Sequence, residues 1–326
     1  MTTTHAVRIH KTGGPEALVY EEIEVPAPGV GEALLRQHAI GLNYIDTYQR
    51  TGLYPLSKLP AVLGMEGAGV VEATGAGVSE AKVGDRVAYA AAPPGAYAER
   101  RLIRAASLVR LPDALSFEQG AAIMLQGMTV EYLLNRCFKV EPRMTILIHA
   151  AAGGVGLMAC AWAKALGATV IGTVGSEEKA KLAKARGCDH AIVYTREDFA
   201  AKTLALTNGE GVPVVYDSVG RDTFDKSLEC LAMRGMLVSF GQASGPVPPF
   251  DPLRLSAKSL FLTRPSLIHY TAKRAELVAS AEALFAMVAR GVIDPTPRQR
   301  YALKDACRAH EDLEARKTTG STILVP

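Results

Sequence analysis

The segment Thr145-Ile-Leu-Ile-His149-Ala-Ala-Ala-Gly153-Gly154-Val155-Gly156 carries the clearest chemistry in the chain. A β-branched apolar run leads into a glycine turn, and an Ala-rich helical stretch follows it. Glycines at such a turn let the backbone approach a pyrophosphate, and the first N–H groups of the helix face that anion with a partial positive charge. Ala151 stands where the usual fingerprint has its first glycine, so the match is to a variant set by Ala151, Gly153 and Gly156. A site that reads NAD offers a carboxylate at the end of the next strand, for the ribose hydroxyls. Here that position reads Thr173-Val-Gly175-Ser176, without an acid, and Lys179 begins the following helix. A hydroxyl, backbone N–H groups and a flexible ammonium suit a ribose phosphate. The expected coenzyme is NADPH.

A second group is Asn43-Tyr44-Ile-Asp46-Thr-Tyr48. Tyr44 and Tyr48 are four apart and share one face if the segment is helical, with Asn43 beside them. A phenol and an amide can donate to an oxygen that gains negative charge during hydride transfer. The competing reading is that the tyrosines only pack.

Other chemistries have little to stand on. The cysteines, at 137, 160, 188, 230 and 307, form no Cys-x-x-Cys pair, and the seven histidines include no pair at ligand spacing, so no metal site is expected. His149 reads as a strand-end residue near the coenzyme and not as a general base. A Gly-x-Ser-x-Gly elbow is absent. A short-chain-type dehydrogenase is disfavoured because the nucleotide motif begins near residue 150. In the coenzyme region no tyrosine has a lysine four residues on: Tyr132, Tyr194 and Tyr216 are followed by Arg136, Asp198 and Gly220.

The elements that must position these groups fall into two styles. Residues 1 to about 122 read as short strands between turn signals, such as Leu34–Ile40, Gly69–Ala73 and Asp85–Ala90. Phe117 to Phe138 has helical apolar spacing, and from Thr145 strands alternate with helices. The strands are Thr145–His149, Ala168–Val174, His190–Tyr194, Val212–Asp217 and Gly235–Gly241, with helices near 155–167, 177–186, 196–207 and 221–232. That alternation argues a parallel sheet covered by helices. Leu260–Thr263 could add an edge strand. An amphipathic helix over Ala272–Arg290, with Leu277, Leu284, Phe285 and Val288 inward, a helix near 305–316 and a strand Ser321–Val325 finish the chain.

Composition bounds the function. The chain has 326 residues, 48% hydrophobic and 21% charged, enough for about two globular domains. A net charge of +3, from 36 basic and 33 acidic residues, gives no footprint for nucleic acid. Met144–Ala163 lacks Asp, Glu, Lys and Arg, yet its three glycines make it strand, turn and helix and not a membrane span. Cysteine usage and the absence of an N-terminal apolar signal region point to the reducing cytoplasm.

Taken together, Ala150–Gly156, Gly175–Lys179, Val215-Tyr-Asp-Ser-Val-Gly-Arg221 and Val238-Ser-Phe-Gly241 resemble the zeta-crystallin-type quinone oxidoreductases of the medium-chain dehydrogenase/reductase superfamily. Gly41–Tyr48, Gly52-Leu-Tyr54, Gly64-Met-Glu-Gly-Ala-Gly69, Gly84-Asp-Arg-Val87, Thr263-Arg-Pro-Ser266 and Glu314–Gly320 extend the resemblance over essentially the whole chain. It implies an α/β protein in which a GroES-like β-rich catalytic domain accompanies a Rossmann-type doubly wound parallel sheet. The implied domains are 1–122 catalytic, 123–265 NADPH-binding and 266–326 the returning part of the catalytic domain. It implies hydride transfer from NADPH to a quinone, at a site between the domains, in a homodimer joined through the last strand of the nucleotide sheet.

By the resemblance Asn43, Asp46 and Tyr48 lie near the nicotinamide, with Tyr48 and Asn43 as oxygen-facing donors. The coenzyme is met by Tyr44, Thr129, Gly153, Gly154 and Val155, and by Gly175, Ser176, Lys179 and Tyr194 around the ribose phosphate. Ser218, Phe240, Gly241, Arg264, Ser266 and Arg316 complete the implied set. Zinc-containing relatives have a cysteine where this chain has Asn43 and a Gly-His-Glu block where it has Gly64-Met65-Glu66. Glu66 therefore reads as a structural residue and the enzyme as zinc-free. A close rival reading is an NADPH-dependent enone or alkenal reductase. A more distant one is a coenzyme-binding crystallin-like or RNA-interacting protein.

Overall fold

The computed structural model describes residues 2–326, which form two compact units. The first unit comprises the chain up to Met128, Tyr270–Ala286 and Pro295–Pro326; the second comprises Thr129–His269 and Met287–Asp294. The long helix over 117–132 is thus divided between them, six residues beyond the expected boundary at 122. Residues 287–294 belong with the second unit, whereas the sequence reading gave them to the returning segment.

In the first unit, strands β1 (Thr2–Ile9) and β2 (Leu18–Val25) pair antiparallel, and β4 (Ala61–Val62) joins β1 on its other side. The second sheet is built around β3 (Glu32–Leu42) and β5 (Glu66–Thr74), and β6 (Arg86–Tyr89), β7 (Arg100–Arg104) and β8 (Val109–Arg110) extend it. Helix α1 (Tyr44–Thr51) follows β3 directly, and α2 (Phe117–Tyr132) leads out of the sheet. Leu35, Ile40 and Tyr89 of these strands are buried together with Tyr97 and Leu324. Leu35 and Ile40, five apart on β3, share this core because the register shifts between Gln37 and Ala39.

The second unit runs β9 (Thr145–Ile148), α3 (Gly154–Ala165), β10 (Thr169–Val174), α4 (Glu177–Lys184), β11 (His190–Val193), α5 (Phe199–Leu206), β12 (Val212–Asp217), α6 (Phe224–Glu229), β13 (Leu231–Ser239) and β14 (Phe261–Thr263). All pairs are parallel, in the order β11-β10-β9-β12-β13-β14. This is the doubly wound 3-2-1-4-5-6 order, whose direction reverses between β9 and β12. The supposed membrane stretch is β9, the glycine turn and most of α3. No helix among the described residues is long and apolar enough to cross a membrane.

After α7 (Leu267–Tyr270) and α8 (Arg274–Ala289), the chain adds β15 (Gln299–Ala302), α9 (Ala306–Glu314) and β16 (Thr322–Val325) to the first unit. β16 pairs antiparallel with β3, Ile323 opposite Gly41, so the chain end lies beside the residues leading into α1. The expected inward face of α8 is corrected in part. Leu277 and Leu284 are buried, but Ala281 and Met287 complete the stripe while Phe285 and Val288 are half-buried. Helix α5 starts at Phe199 and not near 196, because the Asp198 carboxylate caps the N–H groups of Ala200 and Ala201.

Candidate functional site

In the second unit the coenzyme-type residues gather at the C-terminal ends of the strands. Ala150 takes a left-handed φ of 51° to start the turn after β9. The first helical bond of α3, Leu157 N–H to the Gly153 carbonyl (2.9 Å), leaves the N–H groups of Gly154, Val155 and Gly156 ahead of it. A side chain on Gly156 would collide with the Ala150 carbonyl, so the third glycine of the motif is required by backbone packing. After β10, Ser176 caps α4 through the Lys179 N–H (3.3 Å), and the Tyr194 hydroxyl lies 3.1 Å from where a Gly175 Cβ would sit. Gly175, Ser176, Lys179 and Tyr194 are thus one cluster.

A second cluster joins the turns after β12 and β13. The Phe240 N–H donates to the Asp217 carbonyl (2.8 Å), and a Cβ on Gly241 would stand 2.6 Å from the Ser218 carbonyl. Arg264 ties the same turn down, its Nη1 donating to the carbonyls of Ser239 (2.8 Å) and Gly241 (3.1 Å). Thr129 is buried on α2, and Ser266 is half-buried just before α7. Arg316 belongs to the first unit, exposed after α9 at a φ of 59°.

In the first unit α1 carries the tyrosines. Tyr44 and Tyr48 have ring centroids 6.3 Å apart, and Tyr54 meets Tyr48 edge-on at 5.2 Å. The Tyr44 hydroxyl donates to the Leu313 carbonyl of α9 (3.1 Å), and Tyr48 is 8% exposed. Asn43 is the N-cap of α1. Its Nδ2 donates to Glu66 (2.7 Å), and its Oδ1 accepts from Gln126 Nε2 (3.1 Å). Gln126 Oε1 in turn accepts from the Ser321 hydroxyl of the returning chain (2.8 Å). Glu66 also accepts the Leu125 N–H (2.6 Å).

Asp46, expected beside the nicotinamide, lies inside the first unit. It is fully buried, because as the third residue of α1 it reaches back to the Asn43 N–H (2.9 Å), the reciprocal arm of a capping box. The same oxygen accepts from the Tyr97 hydroxyl (3.0 Å). Behind Tyr97 stand His310 Nε2 (2.9 Å) and then Arg50 Nη1 on His310 Nδ1 (2.9 Å). Arg50 is 1% exposed and paired with Glu314 at 2.8 Å. A guanidinium only donates, so His310 must accept at Nδ1, donate from Nε2 to Tyr97, and leave Tyr97 to donate to Asp46. Asp46 is a positioning residue.

Burial sets the protonation of this region. It raises the Asp46 carboxyl to about 7, against the opposing pull of the Asn43 N–H and Tyr97. It raises Glu66 to about 8, opposed by Asn43 and Leu125. Burial, with Arg50 adding to it, lowers His310 to about 3, so the imidazole is neutral as the hydrogen-bond directions require. Sequence reasoning missed Gln126, Tyr97, His310, Arg50 and Ser321. The one local signal was Gln126, a polar residue inside an apolar helix.

Zinc does not fit here. Asn43 and Met65 offer neither thiolate nor imidazole, and both oxygens of Glu66 are engaged by N–H donors. Among the described residues no group of three or more His, Cys, Asp or Glu could hold a metal ion.

Comparison with known proteins supplies the family. Residues 29–113 match the alcohol dehydrogenase GroES-like domain, and residues 154–286 match a family described as zinc-binding dehydrogenase. A quinone oxidoreductase from Pseudomonas aeruginosa is 54% identical over 96% of this chain and 97% of its own length. The Escherichia coli quinone oxidoreductase solved with NADPH superimposes with a TM-score of 0.97 at 49% identity, over 100% of both chains. A 2-haloacrylate reductase from a Burkholderia species is 45% identical over 98% of each chain. With half its residues shared along its full length, the chain belongs to the quinone oxidoreductase family of the medium-chain dehydrogenase/reductase superfamily.

Proposed function

We propose that the chain is a zinc-independent, NADPH-dependent quinone oxidoreductase. The observation that carries this is the Gly175–Ser176 turn, with no carboxylate at the end of β10 itself and with Lys179 and Tyr194 gathered at it beside the Glu177 and Glu178 that open α4, in a chain similar throughout to quinone oxidoreductases. NADPH supplies a hydride at its nicotinamide ring, and the protein's part is to hold, orient and polarise. The α3 N-terminus receives the pyrophosphate, and the Ser176 and Lys179 cluster receives the ribose phosphate. Thr129, Ser218, Phe240, Gly241, Arg264 and Ser266 line the rest of the coenzyme. Tyr44 and Arg316 are the further residues that the family resemblance assigns to the coenzyme.

At the reacting end the quinone oxygen gains charge as hydride arrives. Asn43 Nδ2 has a second N–H beyond the one given to Glu66. That N–H and the Tyr48 hydroxyl are the donors for this oxygen, and water completes the protonation. The test is coenzyme oxidation against a panel containing a naphthoquinone and an enal, with both coenzymes. Quinone turnover with NADPH preferred is the expected result; no quinone turnover refutes the reading.

The 45% identical 2-haloacrylate reductase favours a second reading, reduction of a conjugated C=C with the same coenzyme pose. A higher kcat/KM on the enal would select it. The β14 edge, with Phe261 57% and Leu262 38% exposed, supports a homodimer formed by pairing with its copy. The five cysteines are all free thiols, which supports a cytoplasmic location. Neither reading includes a nucleic-acid partner or membrane insertion.

A further inference from the structure

His149 is the last residue before the glycine turn, and its side chain does not point toward that turn. Alternation along β9 puts it on the same sheet face as Leu147, which packs with Ile171, Val215, Phe199, Phe224 and Leu228. Ile148 is in register with Gly172 of β10 and with Tyr216 of β12. One step on, His149 therefore lies between Thr173 and Asp217, across the point where the strand order reverses. There the imidazole, 1% exposed, bonds on both sides: Nδ1 to the Thr173 hydroxyl (2.8 Å) and Nε2 to the Ser227 hydroxyl (2.9 Å). Ser227 continues to Asp217 Oδ2 at 3.1 Å. The other oxygen of Asp217 accepts the N–H groups of Val219 (2.8 Å) and Gly220 (3.0 Å), fixing the turn that carries Ser218.

The acceptors at one end give the chain a direction. The Ser227 hydroxyl donates to Asp217 or to the Thr223 carbonyl (2.8 Å), away from the ring in both cases, so Ser227 accepts from Nε2–H, and Nδ1 accepts from Thr173. The ring must be neutral for this, and burial lowers its pKa accordingly.

We propose that His149 is a positioning residue for the coenzyme: a neutral, buried clamp that locks the turn after β10 to the turn after β12. It touches no reacting atom. It fixes the spacing between the Gly175–Ser176 turn, which meets the adenosine ribose, and the Ser218 turn. The proposal rests on the coenzyme-binding reading above and adds a residue to it. Because the clamp acts on backbone turns and not on the ribose phosphate, its loss weakens NADPH and NADH alike.

The experiment titrates wild type, His149→Leu, His149→Gln and Thr173→Val with NADPH and with NADH, following nicotinamide fluorescence, and measures KM and kcat on a quinone. His149→Leu strands the Thr173 hydroxyl and takes from Ser227 the N–H that it accepts, and the expected loss is about tenfold to a hundredfold in affinity for both coenzymes. The KM for coenzyme rises while kcat at saturation stays within about twofold. Thr173→Val gives a smaller parallel loss, and His149→Gln, which keeps a donor and an acceptor, recovers most of it. Unchanged affinity in folded His149→Leu or Thr173→Val, a loss confined to NADPH, or a fall in kcat alone overturns the clamp. A wild type that binds neither coenzyme overturns the functional reading as well.

Discussion

Replacing Glu66 by glutamine should make the protein more stable at alkaline pH and less active where Glu66 is ionised. Burial moves this carboxyl from 4.5 to about 8. At about 1.4 kcal/mol per pH unit, full ionisation of Glu66 costs the native state about 5 kcal/mol. The sign follows from the direction of the shift. The native state holds the proton more tightly than the unfolded chain, so nothing is lost below 4.5, and stability drains away as pH rises toward about 8. Asp46, raised from 3.8 to about 7, drains stability in the same direction. His310, lowered from 6.5 to about 3, does the reverse: stability rises with pH across that interval and is then complete. Above about pH 6.5 the Glu66 slope is therefore no longer masked by His310.

Glutamine carries no titrating proton, so Glu66→Gln loses that slope. Its amide also reorders the neighbours. The Leu125 N–H needs an oxygen at the 2.6 Å position, so the new NH2 faces Asn43 Nδ2, donor against donor. Relief requires Asn43 to flip, then Gln126, with the Ser321 hydroxyl becoming the acceptor. Every buried bond is remade, but the Asn43 amide now runs backwards, with an oxygen where a donor stood. Removing one donor of this kind costs about a hundredfold to a thousandfold in turnover. Denaturant melts followed by circular dichroism at about pH 6.5 and 8.5, paired with quinone turnover, test both halves. Parallel wild-type and mutant stability slopes, or full activity in the mutant at the higher pH, would refute the reasoning.

Lys179→Ala should weaken NADPH by about tenfold to a hundredfold, one charge-assisted bond, and leave NADH nearly unchanged on titration. Tyr48→Phe should lower kcat by about tenfold to a thousandfold with coenzyme affinity intact; an unchanged rate makes Tyr48 a packing residue. Tyr97→Phe strands the His310 Nε2–H and takes one of two donors from the same Asp46 oxygen, all three residues fully buried, and should cost about 1–3 kcal/mol in a denaturant melt. If β14 pairs with its copy, Phe261→Lys should lower the mass in light scattering from two chains to one without changing the fold; an unchanged mass refutes that pairing.

How legible these features were depended on how local they are. Val212–Asp217 matches its expected bounds because a parallel strand buried on both faces reads as an apolar run. The coenzyme turns were legible for the same reason: a glycine beside a strand end and a missing acid are features of a few adjacent residues. The polar chain through Asn43 was not legible. It joins residues 43, 66, 126 and 321, brought together only when β16 returns to pair with β3. Asp46 was placed near the nicotinamide by resemblance alone, and the capping geometry that turns its side chain back into the fold was not read from the residues. The role of His149 was not legible either, because its partner Ser227 lies 78 residues away and no spacing rule connects them.

Two one-way chains of hydrogen bonds converge on Asn43, and their directions agree. Through the side chain the order is Ser321 to Gln126 to Asn43 to Glu66; through the backbone it is Arg50 to His310 to Tyr97 to Asp46, which also holds the Asn43 N–H. Each chain ends on a buried carboxyl, and neither can reverse while that carboxyl is ionised. An amide at this position could otherwise take either of two orientations of similar shape, and only one presents N–H toward an oxygen. The two termini remove that freedom before any ligand arrives, so no reorganisation is needed as charge develops on the quinone oxygen. The cost is a pair of carboxyls lifted to about 7 and about 8. Such a cost is typical of a site where stability has been given up for a fixed orientation.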